Sequence, residues 1–248
     1  MGRLDGKDIL VTGGTAGIGF SCAKLFREEG ARVSITGRSE ETLAVAKDTL
    51  GDDVHTICAD VRYVKQIERM ASEIQNTHGG LDGLLVNAGV AKFKPYQEMD
   101  EATFDEIMNA NVKGAWFTIA YCAPLIRPSG AVVIVTSIAP HKGQIGVGVY
   151  AASKAAARSM ARNFSAELID RGIRVLALSP GPTRTSLFDR MGTPEEVDAI
   201  IERMTSTVPI KRIGTPEEVA HAALFLISDE SSFMLGAELV VDGGKSQL

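Results

Sequence analysis

The chain has 248 residues, of which 45% are hydrophobic and 23% are charged, as is typical of a folded globular protein. Lys and Arg number 26 against 31 Asp and Glu, a net charge of −5, which argues against a general nucleic-acid-binding protein. The three cysteines lie far apart, in no pattern typical of a disulfide framework or a zinc site: Cys22, Cys58 and Cys122.

No segment approaches the roughly 18 consecutive apolar residues of a membrane helix. The first residues of the chain also lack the apolar core of a signal peptide. We therefore expect a soluble cytoplasmic protein without a metal, a membrane partner or a nucleic-acid partner.

Short apolar runs alternate with amphipathic helical stretches along the chain. Seven runs are predicted strands: 9–12, 32–36, 54–58, 84–86, 131–135, 174–178 and 238–241. Helical spacing is found in the stretches 17–30, 39–50, 64–78, 103–121 and 150–171. Thr193 and Thr215, each followed by a proline and two glutamates, are predicted helix N-caps. This alternation predicts one doubly wound α/β domain over residues 1–248, with a seven-stranded parallel sheet and helices on both faces.

The stretch after Pro180 differs from the rest of the chain, because prolines interrupt it. Its apolar residues are loosely spaced: Leu187, Phe188, Met191 and Met204. Ligands of such sheets bind beyond the carboxyl ends of the strands, so we predict a substrate lid over about 182–212. The alternative is a helical hairpin that only covers the sheet.

A glycine-rich turn from Thr12 to Gly19 lies between the first predicted strand and the first predicted helix. Glycines at 13, 17 and 19 permit a tight turn and close approach of the backbone to a pyrophosphate, which the helix N-terminus attracts. The spacing G-x-x-x-G-x-G differs from the commonest dinucleotide fingerprint. Its position in the first β–turn–α unit nevertheless indicates a dinucleotide site.

The residues after the second predicted strand are Gly37 and Arg38, without a carboxylate. A carboxylate there would bind the ribose hydroxyls of NAD, whereas the guanidinium of Arg38 can pair with a 2′-phosphate. The sequence therefore favours NADP over NAD. The alternative is an exposed arginine that pairs with Glu41 at i,i+3 spacing.

Tyr150 and Lys154 lie on one face of a predicted helix, four residues apart. A nearby positive charge favours the phenolate, so Lys154 is expected to lower the pKa of Tyr150 and make it a general acid/base. Ser137 follows the strand 131–135 and is expected to bond the same substrate oxygen as Tyr150.

Together these residues resemble the short-chain dehydrogenase/reductase family over the whole chain. The motifs that carry the resemblance occur in this order: the turn from Thr12 to Gly19, Asp60 and Val61, Asn87 to Gly89, Asn111, Ser137, Tyr150 with Lys154, Pro180 with Gly181, and Val241 to Gly244. Each motif is short, but their order and spacing are specific.

The resemblance implies a Rossmann fold and four catalytic residues: Asn111, Ser137, Tyr150 and Lys154. It implies that Asn111 holds a water linking Lys154 to a proton relay, and that Asp60 contacts the adenine amino group. The Thr183 backbone and the Thr185 hydroxyl would hold the carboxamide. The implied cofactor-binding set is Thr12, Gly13, Thr15, Gly17, Ile18, Gly19, Arg38, Asp60, Val61, Asn87, Ala88, Gly89, Tyr150, Lys154, Pro180, Gly181, Thr183 and Thr185.

The expected function is NADPH-dependent reduction of a ketone or aldehyde to an alcohol, reversible as alcohol oxidation. One alternative is reduction of a 3-oxoacyl thioester in fatty-acid synthesis, and another is an NADP(H)-binding sensor without turnover. The resemblance also implies a homotetramer or homodimer.

Three features have two interpretations each. His141 either contacts the substrate or is an exposed loop residue. Trp116 and Phe117 belong either to an interface or to the core. Lys211 and Arg212 either meet an acidic carrier protein or are simply solvated.

Overall fold

A computed structural model describes residues 2–185, 188 and 193–248, apart from the side chain of Pro194. Its strands are β1 (Asp8–Val11), β2 (Arg32–Gly37), β3 (His55–Cys58), β4 (Leu81–Val86), β5 (Ile126–Val135), β6 (Arg174–Pro180) and β7 (Glu238–Val241). They form one sheet in the order β3-β2-β1-β4-β5-β6-β7, and every neighbouring pair is parallel. The predicted Rossmann-type architecture is confirmed. β4 and β5 begin earlier than predicted, because their first residues already pair with each other at Leu81 and Ile126.

The described α-helices are α1 (Gly17–Glu28), α2 (Glu40–Leu50), α3 (Val64–His78), α4 (Glu101–Met108), α5 (Ala115–Cys122), α6 (Gly148–Leu168), α7 (Pro194–Ser206) and α8 (Pro216–Ile227). A π-helical turn, Asn109–Gly114, joins α4 to α5, so the helix predicted over 103–121 is interrupted. Thr193 and Thr215 cap α7 and α8 with complete capping boxes, as predicted.

Two apolar layers cover the sheet. One includes Phe26 of α1 and Leu224 of α8, and the other includes Ile119 of α5 and Phe164 of α6. Burial of such side chains contributes roughly 1.5–3 kcal/mol each. Trp116 lies outside the second layer's buried set, since it is 43% exposed while its ring packs 4.8 Å from that of Phe164.

The amino edge of the sheet carries a charged cluster around Asp8, which is only 1% exposed. Arg32 donates two hydrogen bonds of 2.7 Å to the Asp8 carboxylate, Arg127 donates a third of 3.0 Å, and His78 Nδ1 lies 3.2 Å away. Burial alone would raise the pKa of Asp8, but the bonds from Arg32 and Arg127 hold it below its usual range. No partner for His78 was evident in the sequence.

Candidate active site

Most predicted site residues lie in the segments that follow the carboxyl ends of the strands, and in a parallel sheet these ends share one edge. The segments at that edge begin at Thr12 after β1, Arg38 after β2, Ala59 after β3, Asn87 after β4, Thr136 after β5, Gly181 after β6 and Asp242 after β7. The strand order reverses between β1 and β4, where such sheets open a ligand crevice.

Thr12 joins β1 to β4 at this crevice. Its hydroxyl donates to Leu85 O at 3.3 Å and accepts from Asn87 N and Ala88 N at 3.0 and 3.1 Å. Asn87 Nδ2 donates in return to Thr12 O and Gly13 O, both at 3.0 Å. The first predicted cofactor segment and the fourth are thus bonded directly to each other.

The glycine-rich turn leaves no room for a side chain at Gly13 or Gly19. A Cβ on Gly19 would lie 2.3 Å from Gly13 O and 2.4 Å from Asn87 Nδ2, and Gly13 has a φ of +67°. A Cβ on Gly17 would touch Thr185 at 3.3 Å, so the structure brings Thr185 to the turn. α1 begins without a side-chain cap or an acidic residue, which leaves its first N–H groups for an anion. This cradle fits a pyrophosphate.

The structure also places three further members of the predicted cofactor set. Thr15 contacts the end of β2, since a Cβ on Gly37 would lie 2.6 Å from its Cγ2. Val61 is buried, and its carbonyl oxygen lies 2.8 Å from where a Cβ of Gly114 would be. Ile18 is partly buried against the first apolar layer.

Arg38 is exposed beyond the end of β2. Among the described residues its side chain has no hydrogen bond or ion pair, so the alternative pairing with Glu41 is not formed. Asp60, by contrast, is engaged by Arg62, whose Nε and Nη2 lie 2.9 and 2.6 Å from Asp60 Oδ2. Burial would raise the pKa of Asp60, but these bonds keep it below the usual range. Arg62 was not anticipated, and the adenine contact of Asp60 stays a prediction.

Ser137 and Tyr150 are brought together by the β5–α6 connection. The Ser137 hydroxyl lies near the Tyr150 side chain and accepts a 3.1 Å hydrogen bond from Ala139 N. The Tyr150 ring meets the edge of Phe93, with centroids 5.4 Å apart. Burial raises the pKa of Tyr150, and the nearby Ser137 hydroxyl opposes this only in part.

Lys154 is 8% exposed, and burial lowers its pKa to about 8. Its Nζ donates to Val135 O at 2.9 Å and lies 5.9 Å from the Tyr150 ring centroid. The net pKa of Tyr150 is thus raised and not lowered as expected, because burial outweighs the opposing contributions and the Lys154 ammonium bonds a carbonyl instead of the phenol. A Cβ on Gly89 would lie 3.7 Å from Lys154 Nζ and 2.8 Å from Asn111 Oδ1.

Asn111, in the π-helical turn, connects the segment that follows β4 to α6. Its Nδ2 donates to Val90 O at 2.9 Å and to Ser153 Oγ at 3.0 Å, while its Oδ1 accepts from Val90 N at 2.8 Å. Ser153 donates in turn to Tyr150 O at 2.7 Å. The water-holding role of Asn111 stays a prediction. Ser153 was missed, although its position one helical turn after Tyr150 was a signal.

The segment predicted as a lid leaves the end of β6 and returns to it. Gly214 N donates to Pro182 O and Arg184 N donates to Gly214 O, each at 2.9 Å, and Thr183 forms a bridge with Gly214. Thr183 Oγ1 also donates to Gly181 O at 3.0 Å. Within the described part lies one α-helix, α7. Phe188 is 6% exposed and Met204 is partly buried, whereas Leu187 and Met191 lie outside the described residues. The lid role stays a prediction.

A polar network not anticipated from the sequence lies behind Ser137. Thr136 Oγ1 and Ser179 Oγ lie 2.5 Å apart, and Ser179 Oγ donates to Glu238 Oε1 at 2.5 Å. Glu238 also accepts from Arg158 Nε at 2.5 Å, and His141 Nε2 lies 3.2 Å from it. His141 therefore has a protein partner, which the loop interpretation did not include.

The remaining features of the molecule concern one basic side chain, the three cysteines, metal binding and membrane spanning. Arg212, half of the basic pair, donates 2.6 and 2.8 Å bonds to Glu218. Cys22, Cys58 and Cys122 are free thiols. Residues 2–185, 188 and 193–248 contain no group of three metal-ligating side chains, and no helix among them is long and apolar enough to cross a membrane.

Comparisons with known proteins agree with this arrangement. A family model described as enoyl-(acyl carrier protein) reductase matches residues 13–246. Oxidoreductase asL5 of Sarocladium schorii is 36% identical over 249 residues, covering 99% of this chain and 98% of that protein. The 3-oxoacyl-(acyl-carrier-protein) reductase FabG of Thermotoga maritima is 35% identical, covering 98% of each chain. A solved structure titled short chain dehydrogenase/reductase family protein has a TM-score of 0.87 at 35% identity, covering 99% of this chain and 100% of that one.

Proposed function

Because the chain belongs to the short-chain dehydrogenase/reductase family, whose enzymes use NAD(P)(H), we propose that it reduces a ketone or aldehyde to an alcohol with NADPH, reversibly. The observation that carries the proposal is that Ser137, Tyr150 and the buried ammonium of Lys154 lie together, with Lys154 Nζ 5.9 Å from the Tyr150 ring centroid. We propose further that residues 1–248 act as one domain and that the chain forms a homodimer or homotetramer, which the exposed Trp116 supports.

The residues at the crevice fit a dinucleotide. The uncapped start of α1 and the cradle at Gly13 and Gly19 suit a pyrophosphate, and the free guanidinium of Arg38 supports NADP over NAD. When bound, the nicotinamide nucleotide supplies the hydride for the carbonyl carbon.

The proton comes from this chain. Ser137 Oγ already accepts a bond from Ala139 N, so its own hydrogen can be donated to the substrate oxygen. The raised pKa of Tyr150 keeps the phenol protonated at neutral pH, as an acid for the reductive direction requires. As the oxygen gains negative charge, Tyr150 transfers its proton, and the positive charge of Lys154 stabilises the tyrosinate that remains.

Reduction of a 3-oxoacyl thioester is a second candidate. It is favoured by the similarity to the reductase FabG. The pairing of Arg212 with Glu218 speaks against that arginine as a docking residue for an acidic carrier.

NADPH oxidation over a panel of ketones, diketones, sugars and an acetoacetyl thioester tests the proposal. Tyr150→Phe is expected to lower kcat by about 100- to 10,000-fold, with NADPH binding by fluorescence unchanged. Tyr121→Phe on α5 is the matched control. Near-wild-type turnover by Tyr150→Phe would contradict the assignment.

A further inference from the structure

Two lysines join the segments that follow β5, β6 and β7 at the edge of the candidate site. Lys142 lies in the loop between Ser137 and Tyr150, and its Nζ donates to the carbonyl oxygen of Lys245 at 3.3 Å. Lys245 lies in the tail after β7, and its Nζ donates to Thr207 Oγ1 at 2.8 Å. Thr207 ends α7, the helix of the predicted lid. The three segments that border the substrate side of the crevice thus meet at these two ammonium groups.

Within the part of the chain that the structure describes, no carboxylate forms an ion pair with Lys142 or Lys245. Asp242 is close in sequence, but its oxygens accept bonds from Gly244 N at 2.8 Å and Ser246 N at 2.7 Å. Burial lowers the pKa of Lys245, the charge of Lys142 lowers it further, and Asp242 opposes both.

Several other cations around the crevice, though not Arg38 or Lys154, are neutralised by carboxylates. Carboxylates within 2.6 Å pair with four of them: Arg158 with Glu238, Arg212 with Glu218, Lys92 with Glu106 and Lys94 with Asp100. Lys245 is half-buried and Lys142 beside it is exposed. The half-buried ammonium of Lys245 gains most from an anion, because water screens it less than an exposed charge.

We propose that the carbonyl substrate carries an anionic group remote from its carbonyl, and that Lys142 and Lys245 bind this group while Ser137 and Tyr150 bind the carbonyl oxygen. The inference rests on the proposed function and narrows it to charged carbonyl compounds. A carboxylate suits the site because each of its two oxygens can accept a charge-assisted bond from one lysine.

The test compares acetoacetate, levulinate and longer oxo acids with their methyl esters as substrates for NADPH-dependent reduction. The readout is the acid-to-ester ratio of kcat/KM. For the best chain length we expect an acid-to-ester ratio of about 100 in the wild type, to which each lysine contributes a factor of about ten. In the double variant Lys142→Gln/Lys245→Gln the ratio should fall towards one. Lys142→Arg keeps the charge and retains the preference, and Lys65→Gln, on the exposed face of α3, is the control.

A second arm measures binding without turnover. Titration calorimetry of the same oxo acids into the NADP+-loaded protein is expected to show binding that the double variant loses and Lys65→Gln keeps. Equal use of acids and esters, or equal acid binding by wild type and double variant, overturns the inference. Acid binding that depends on the lysines, without reduction of any compound, supports the anion site and contradicts the proposed function. Acetoacetyl thioesters of coenzyme A and of N-acetylcysteamine distinguish phosphate from carboxylate as the anionic group. If the charged coenzyme A thioester is reduced and the uncharged N-acetylcysteamine thioester is not, the lysines bind phosphate, and the proposal of an oxo acid substrate is overturned.

Discussion

Arg158 Nε and Glu238 Oε2 lie 2.5 Å apart although the two residues are 80 positions apart in the chain. The contact fixes α6, which carries Tyr150 and Lys154, to β7. Because Glu238 also accepts from Ser179, the same carboxylate holds the β6 strand behind Ser137. Glu238 is therefore a positioning residue for both hydroxyls of the proposed reaction.

Replacing Glu238 by Gln is expected to destabilise the protein by about 2–3 kcal/mol at neutral pH, because Arg158 loses its counter-ion. Burial raises the pKa of Glu238, but bonds from Ser179 and Arg158 bring it below the usual 4.5. A carboxyl whose pKa is lower in the folded state than in the unfolded state stabilises the fold at pH values above its unfolded-state pKa. This stabilisation is lost as the pH falls through the folded-state pKa. Urea unfolding should therefore show a difference between wild type and Glu238→Gln that shrinks below pH 4.5. Glu68→Gln is the exposed control; an equal difference at all pH values would contradict the prediction.

Replacing Lys154 by Met is expected to abolish turnover and to stabilise the fold. Burial lowers the Lys154 pKa from 10.5 to about 8, which corresponds to roughly 3 kcal/mol of unfavourable burial. Loss of the bond to Val135 O offsets about 1 kcal/mol. Because the folded pKa lies below the unfolded one, the cost applies at neutral pH and fades as the pH rises from about 8 towards 10.5. Unfolding of Lys154→Met should show a gain of about 2 kcal/mol at neutral pH that declines in alkali. Lys65→Met is the control, and a loss of stability at neutral pH would refute the reasoning.

Arg38→Asp is expected to reverse the cofactor preference. The variant removes the cation proposed for the 2′-phosphate and supplies a carboxylate for the ribose hydroxyls of NAD. Initial rates with each cofactor should show the NADPH-to-NADH ratio of kcat/KM falling by about 100-fold or more. The control is Lys65→Asp, an equal charge reversal on α3. An unchanged ratio would mean that Arg38 does not contact the cofactor.

Gly19→Ala is expected to weaken NADPH binding by at least about tenfold and to lower the Tm. Its Cβ would lie 2.3 Å from Gly13 O, so the turn must open. A tenfold loss is about 1.4 kcal/mol, within the roughly 1–3 kcal/mol that overpacking typically costs. Gly143→Ala is the matched control, because nothing lies within 4 Å of its Cβ position. Equal Kd values for both variants by fluorescence titration would exclude the proposed cradle.

The sequence predicted what is locally encoded. The caps at Thr193 and Thr215 depend on residues three positions away, and strand runs such as 131–135 depend on continuous apolar character. The carboxyl-edge placement of Ser137 and Asn87 follows from these strands once the sheet is parallel.

Contacts that depend on the finished fold were not predictable in the same way. Glu238 meets Arg158, and His78 meets Asp8, only after distant strands and helices have packed. The pKa direction of Tyr150 was wrong because spacing on a helix shows that Lys154 is near, but not that its ammonium bonds Val135 O. Burial, which then dominates, cannot be read from a four-residue spacing.

The charged cluster around Asp8 lies at the opposite edge of the sheet from every residue proposed to act on the substrate. Changes there and changes in the loops after β5 and β6 should therefore contribute independently to fitness. An engineer can confine substrate-altering libraries to 138–149, 182–212 and the tail after β7 while leaving Asp8, Arg32 and Arg127 intact. A variant with a new substrate range would then keep its thermal stability, because the residues of the Asp8 cluster are not mutated.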